Sequence, residues 1–211
     1  MAEAVTRGRG KSGQKRLQIM DAARKLFLEC NFEGVSMETI AQEANVSKQT
    51  VYSHFGSKED LFTAVIENEC ASHQLTDELF DIHRPVAEVL LTLAEHFTEL
   101  LLSERAIKLH RVCATSAERS SISELFWTAG PEKLQATFQS YLGQLVEQGE
   151  LSIDNLDFAA QQFLFMVKGE AQQRKILGLA GKHTPKELHT YLQSCVNVFL
   201  SAYSKPCQPQ Q

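Results

Sequence analysis

From Ser57 to Ala129 the sequence contains no glycine and a single proline, Pro85. Glycine and proline are the residues that most strongly punctuate a chain, so a stretch this long without them predicts extended helices. The rest of the chain is nearly as sparse: 211 residues hold five prolines and eleven glycines. That composition argues against a linker-rich chain or a turn-dense all-β fold. A hydrophobic share of 43 % is enough for a real core. No run approaches the ~18 apolar residues that a membrane span needs. The first ten residues lack the apolar segment of a signal peptide, which sets the expected compartment as cytoplasmic and gives no membrane partner. The five scattered cysteines form no CxxC pair, so no zinc knuckle or disulfide framework is expected.

Apolar residues recur at helical spacing along the chain. Leu17, Met20, Ala23, Leu26 and Phe27 mark a first stripe, and Leu61, Phe62, Val65 and Ile66 open a second that could run to about Phe80. Val86 to Leu101 marks a third, entered through Pro85. Four more follow: Ile107 to Ala114, Leu134 to Leu145, Ala159 to Gly169 and Leu188 to Phe199. Gly130-Pro131 predicts a sharp break before a new helix, Gly149 a C-cap, and 178–185 a loop. The chain reads as all-α, with about nine helices.

Residues 36–57 depart from this pattern. Ser36 can cap the short run Met37–Ala44, and Asn45-Val46 suits a turn because asparagine tolerates left-handed geometry. Ser47 can then cap a second short helix, 48–54, and Ser57 the next one. Two short helices joined by a tight turn make a helix-turn-helix. Its second helix is polar at almost every position except Val51. Lys48 and Gln49 have the chemistry for guanine and adenine edges, and Thr50 can meet a thymine methyl. Tyr52, His54 and Lys58 suit phosphate oxygens, which fix register without reading sequence. Together with the capping Ser36 and Ser47 they form the candidate DNA-binding set.

Ile40-Ala41, Ala44-Asn45-Val46-Ser47, Thr50-Val51-Tyr52-Ser53-His54-Phe55 and Lys58-Glu59-Asp60-Leu61-Phe62 closely resemble the signature of TetR/AcrR-type transcriptional regulators. Ile19, Ala22-Ala23, Leu26-Phe27, Phe32 and Val35-Ser36 also fit, so the likeness is dense over about residues 15–66. Asn31 and Asn45 stand where the family usually has glycine, substitutions that left-handed geometry allows. Gln49 stands where a small residue is common, so no operator preference carries over from relatives. Arg111–Glu118, Leu125-Phe126 and Gly130-Pro131-Glu132 are similar to the AefR-type branch, which contains regulators of efflux pumps.

The resemblance implies a ligand-responsive DNA-binding regulator, most simply a repressor that binds a near-palindromic operator as a homodimer and is released by a small molecule. It implies a helix-turn-helix head (14–60) and a ligand-binding and dimerisation domain (61–203), between a start read from its basic, apolar-poor composition as a flexible arm (1–13) and a polar tail (204–211). Helices at about 155–178 and 185–203 are expected to meet a second copy, with Gly169 allowing close approach and Leu188, Leu192, Cys195 and Phe199 supplying an apolar stripe. Phe97, Leu101, His110, Phe126, Trp127, Phe138, Phe163 and Met166 are the candidates to line a pocket for a small apolar or amphipathic effector. His110, Arg111, Gln162 and Lys168 are the polar groups available to orient it.

Each of these readings has a plainer counterpart. The aromatic residues serve equally as core, and His110 with Cys113 gives only two soft metal ligands. No nucleophile elbow, phosphate loop or catalytic triad spacing occurs, so neither an enzyme nor a cofactor is expected. A helical ligand-binding protein whose head meets other proteins remains the alternative. Taken as a total, the formal charge of −5 counts against DNA binding. It is unevenly spread, however: residues 1–60 hold nine basic and eight acidic groups, whereas 61–211 hold twelve and eighteen. The acidity belongs to the part expected to face away from DNA.

Overall fold

The computed structural model describes residues 3–30, 32–116 and 121–205, with side chains over 12–30, 32–115 and 121–205. Asn31, the tail from 206 and the basic side chains up to Lys11 lie outside the described residues. Among the described residues there are ten α-helices: α1 (Glu3–Cys30), α2 (Met37–Glu43), α3 (Lys48–Phe55), α4 (Lys58–Ser72), α5 (Val86–Leu102), α6 (Glu104–Ser116), α7 (Ile122–Trp127), α8 (Lys133–Glu147), α9 (Leu156–Ile176) and α10 (Pro185–Tyr203). The all-α expectation holds. The helix beyond the expected nine is α7, whose six residues are too few to show a stripe.

Three local expectations differ from the structure. The backbone of α1 begins at Glu3, so a helix runs through the segment read as a flexible arm, where no proline interrupts it. Helix α4 stops at Ser72 rather than near Phe80: Gln74 adopts φ 56° and Leu75 N–H returns to the Cys70 carbonyl. Gly130-Pro131 makes no sharp break. A π-helical turn, Thr128–Glu132, carries the chain into α8 with Pro131 inside it. The cap at Gly149 forms as expected, with φ 80° and Glu150 N–H on the Leu145 carbonyl.

The chain divides into two compact units, one running up to Glu69 and including Lys108–Ala129, the other Cys70–Ile107 and Gly130 onward. The first therefore holds more than the 14–60 head expected from sequence. Its core contains Ile19, Ala23, Phe27, Ile40, Val51, Leu61 and Phe62 with Cys113, Ile122 and Ala129. Phe27, Phe32 and Phe62 form an aromatic triangle with all three centroid distances 5.4 Å, which ties α1, the turn after it and α4. Such pairs add about 0.5–1.5 kcal/mol beyond their buried area.

In the second unit α5, α8, α9 and α10 enclose a separate core around Leu90, Leu93, Phe138, Tyr141, Phe163 and Phe199. Phe163 packs between Phe138 (5.5 Å) and Phe199 (5.2 Å). Asp157 accepts amide hydrogens from Gln135, Gln139 and Gln161 and pins α8 to α9. Most of the stripe expected to meet a second copy turns inward instead: Leu192, Cys195 and Phe199 are buried in this core, and Leu188 is half-buried. A single apolar stripe satisfies its own protomer first. The outward apolar residues of α9 and α10 are Phe158, Phe165, Tyr191 and Val198.

Gly169 also serves its own chain. It sits inside α9 at φ 50°, ψ −163°, and a Cβ there would lie 3.1 Å from the Tyr191 ring. Glycine alone takes that conformation without strain and leaves room for the ring. The Tyr191 hydroxyl donates to the Met166 carbonyl at 2.6 Å, three residues before the kink.

Candidate nucleic-acid interface

The helix-turn-helix is built from capping serines. Ser36 Oγ accepts from Thr39 N–H at 3.1 Å and starts α2; Ser47 Oγ accepts from Thr50 N–H at 3.1 Å and starts α3. Each cap contributes about 1 kcal/mol. Between them Asn45 adopts φ 50°, as the turn requires, and Val46 N–H closes on the Ala41 carbonyl at 2.9 Å. Ser57 caps α4 in a reciprocal pair with Asp60, whose carboxylate accepts from both the backbone N–H (3.1 Å) and the hydroxyl (2.6 Å) of Ser57.

Helix α3 is held by two buried side chains, Val51 and Phe55. That leaves Lys48, Gln49, Tyr52 and Ser53 exposed, and Thr50 and His54 half-buried at the edge. The candidate residues of α3 thus share one continuous polar surface. Thr50 is partly occupied, since its hydroxyl lies 2.8 Å from that of Ser47. Lys48 Nζ donates to Glu38 Oε1 of α2 and stands 5.7 Å over the Tyr52 ring. That hydrogen bond, first of all, raises the Lys48 pKa and lowers that of Glu38.

Lys58 is placed differently from the other candidates. Its ammonium donates to the carbonyls of Phe32 (2.8 Å) and Val35 (3.1 Å) and lies 4.3 Å over the Phe32 ring. It closes the α1–α2 connection from within the head. Arg16, counted in sequence among the basic charges of the N-terminal region, donates to the His54 carbonyl at 3.2 Å and stacks over Phe55 at 4.3 Å. A cation at the C-terminal end of α3 is favoured by the helix dipole. Gln18 reaches the Ala44 carbonyl at 2.8 Å. Sequence reasoning missed these contacts of Arg16 and Gln18, because their partners are backbone carbonyls 38 and 26 residues away.

Residues 19–65 match the family model of bacterial regulatory proteins of the tetR family. Residues 88–205, more than half of the chain, match the C-terminal domain of AefR-like transcriptional repressors. The chain belongs to the TetR family. As a TetR-family member it is a DNA-binding transcriptional regulator, and both the resemblance read from the helix-turn-helix and the AefR-type likeness are borne out. Among solved structures it is similar to the flavonoid-responsive regulator FrrA, at 30 % identity and a TM-score of 0.74, with 92 % of this chain and 100 % of that one covered. Among curated proteins it is 37 % identical over 70 residues to the HTH-type transcriptional regulator UidR of Escherichia coli K12, covering 32 % of this chain. It is 24 % identical over 136 residues to the HTH-type transcriptional regulator YhgD of Bacillus subtilis, covering 62 % of this chain. The chain spans 36 % of the length of UidR and 66 % of YhgD.

The residues expected at the effector pocket of this TetR-family chain do not fall in one unit. Phe97, Leu101, Phe138, Phe163 and Met166 belong to the second, where Phe138 and Phe163 are fully buried and interlocked as core. His110, Phe126 and Trp127 belong to the first, with His110 edge-on to Phe126 at 6.4 Å and Trp127 exposed. Within the second unit a cavity of about 330 Å³ opens elsewhere, lined by Thr76, Glu78, Arg84, Thr92 and His96 among others. Among the described residues no group of three or more His, Cys, Asp or Glu is placed to hold a metal ion. No described helix is long and apolar enough to cross a membrane.

Proposed function

We propose that this regulator acts as a repressor, binding a near-palindromic operator as a homodimer and leaving it when a small molecule binds. The observation that carries the reading is α3: a capped helix whose apolar side is locked by Val51 and Phe55 and whose whole outer surface is polar. Lys48, Gln49 and Thr50, at its N-terminal end, are the residues to meet base edges. Tyr52 and His54 meet phosphate, and Ser36 and Ser47 add contacts at the helix starts. Lys58 holds the head in shape rather than the backbone of the DNA.

Homodimerisation is supported by the outward residues Phe158, Phe165, Tyr191 and Val198 on α9 and α10. Exposed apolar side chains of this size on neighbouring helices suit a two-fold contact. Two heads related that way present α3 to successive major grooves about 34–36 Å apart. Release by a small molecule is supported by FrrA, named as a flavonoid-responsive regulator. The guanidinium and hydroxyls of the 330 Å³ cavity favour an amphipathic effector over a purely apolar one. Such a ligand releases DNA only by binding the non-DNA arrangement of the heads more tightly.

An electrophoretic shift with the DNA upstream of the protein's own gene tests the reading. The wild-type chain should retain that fragment with an affinity that falls steeply with salt. The combined Lys48→Ala, Gln49→Ala and Tyr52→Ala variant should not. Equal binding by both would remove α3 from the interface, and absence of salt-dependent binding would favour a head that meets proteins.

A further inference from the structure

We propose that Glu38 sets how well this head distinguishes its operator from other DNA, by holding the one lysine of α3. The inference rests on α3 being the DNA-reading helix.

Lys48 is the sole Lys or Arg of that helix, and its ammonium donates to Glu38 Oε1. Four other cations of the head are engaged within the chain: Arg16 on the His54 carbonyl, Arg24 on Asp21, Lys25 on Glu43, and Lys58 on Phe32 and Val35; Lys15 is exposed on α1, away from α3 in sequence. The positive charge that α3 offers to a phosphate is therefore Lys48, and it carries a carboxylate with it. Glu38 has reason to stay: it lies in the first turn of α2, where the helix dipole favours an anion. The Lys48 side chain is further steadied over the Tyr52 ring at 5.7 Å.

A duplex of arbitrary sequence offers Lys48 a phosphate in exchange for the carboxylate, one anion for another, and leaves Glu38 facing a polyanion. The exchange gains little. An operator that also places a purine edge before Lys48 and Gln49 adds contacts that Glu38 cannot supply. Glu38 thus weakens sequence-independent binding more than operator binding. It is a specificity-determining residue acting through Lys48.

The test uses the full chain as wild type, E38Q, K48Q and E38Q/K48Q, with fluorescence anisotropy on a mixed-sequence duplex between roughly 50 and 200 mM KCl. E38Q should bind several-fold more tightly at the low-salt end and show a salt slope steeper by about one ion. Its advantage should shrink roughly three- to fourfold across that range. K48Q should weaken binding, because it leaves the Glu38 carboxylate unpaired beside the DNA, and E38Q/K48Q should bind no more tightly than the wild type. A gain that survives in E38Q/K48Q, or no gain in E38Q, overturns the role of Glu38. Failure of both wild type and E38Q to bind any duplex at low salt would instead overturn the DNA-reading assignment of α3. An unchanged unfolding midpoint for E38Q, measured alongside, excludes a folding defect as the cause.

Discussion

Gln18 Nε2 donates to the carbonyl oxygen of Ala44 at 2.8 Å, tying the middle of α1 to the end of α2 where the helix-turn-helix bends. Ala44 is the C-cap of α2, and its carbonyl is one of the orphan acceptors that every helix end leaves. Helix α3 is held in turn near its C-terminal end, where Arg16 bonds the His54 carbonyl.

Replacing Gln18 with Ala removes that donor and should cost about 1 kcal/mol. In a chain of this size the midpoint of thermal unfolding should fall by about 2–4 °C. DNA affinity should drop as well, because α3 is less firmly placed. Thermal unfolding and anisotropy check the two effects, and an unmoved midpoint would show that the bond contributes nothing.

Lys58→Met separates a structural lysine from a phosphate contact. The variant keeps the stem against Phe32 but loses the ammonium that bonds the carbonyls of Phe32 and Val35. Stability should fall by about 1.5–3 kcal/mol, the range for hydrogen bonds to a charged group. The salt slope of DNA binding should not change. A slope shallower by about one ion would place Lys58 on the DNA backbone.

Gly169→Ala would ordinarily help a helix by up to about 1 kcal/mol. Here it should destabilise by more than that amount, because φ is 50° and the new Cβ meets the Tyr191 ring at 3.1 Å. Differential scanning calorimetry gives the sign. A rise in Tm would mean that the kink is not required by the fold.

Burial pushes the Cys113 thiol up to about 11, and Tyr141 and Tyr191, also chiefly through desolvation, up to about 12. The folded state holds these groups neutral while the unfolded chain ionises near the ordinary values of 9.0 for Cys and 10.0 for Tyr. Their contribution is complete below pH 9 and is lost as pH rises through the folded values. Stability should therefore decline between pH 9 and 12. Denaturant midpoints across that range measure it, and Cys113→Ala should flatten the part between pH 9 and 11. At pH 8 a thiol reagent should label exposed Cys30 well before Cys113. Equal rates would contradict the burial of Cys113.

Much of the head is legible in the sequence because its signals are local. A serine caps the helix that begins at the next residue, and Asn45 takes its own left-handed turn, so Ser36, Ser47 and Asn45 announce themselves within four residues. The polar outer side of α3 follows from helical spacing around Val51 and Phe55. Lys58 and Arg16 were not legible, since a cation in a sequence carries no mark of whether it faces solvent or a carbonyl of its own chain.

The same limit explains α9 and α10. The spacing of Leu192, Cys195 and Phe199 identifies an apolar face but not its recipient, and the protomer's own core takes it. Gly169 signals a close approach without saying of what; the answer is Tyr191, 22 positions along the chain. The expected pocket residues show the limit most clearly. Each is aromatic or apolar and helical as read, yet the chain places them in two different units.

By itself the sequence determined the all-α class, the serine caps at Ser36 and Ser47 and the polar outer side of α3, because these depend on interactions spanning a few residues. Tertiary structure alone decided which charges are engaged at that surface, which apolar faces are consumed internally and how the pocket candidates divide between two units. Those outcomes depend on residues tens of positions apart meeting in space, where burial and competing partners select among faces that look equivalent along the chain.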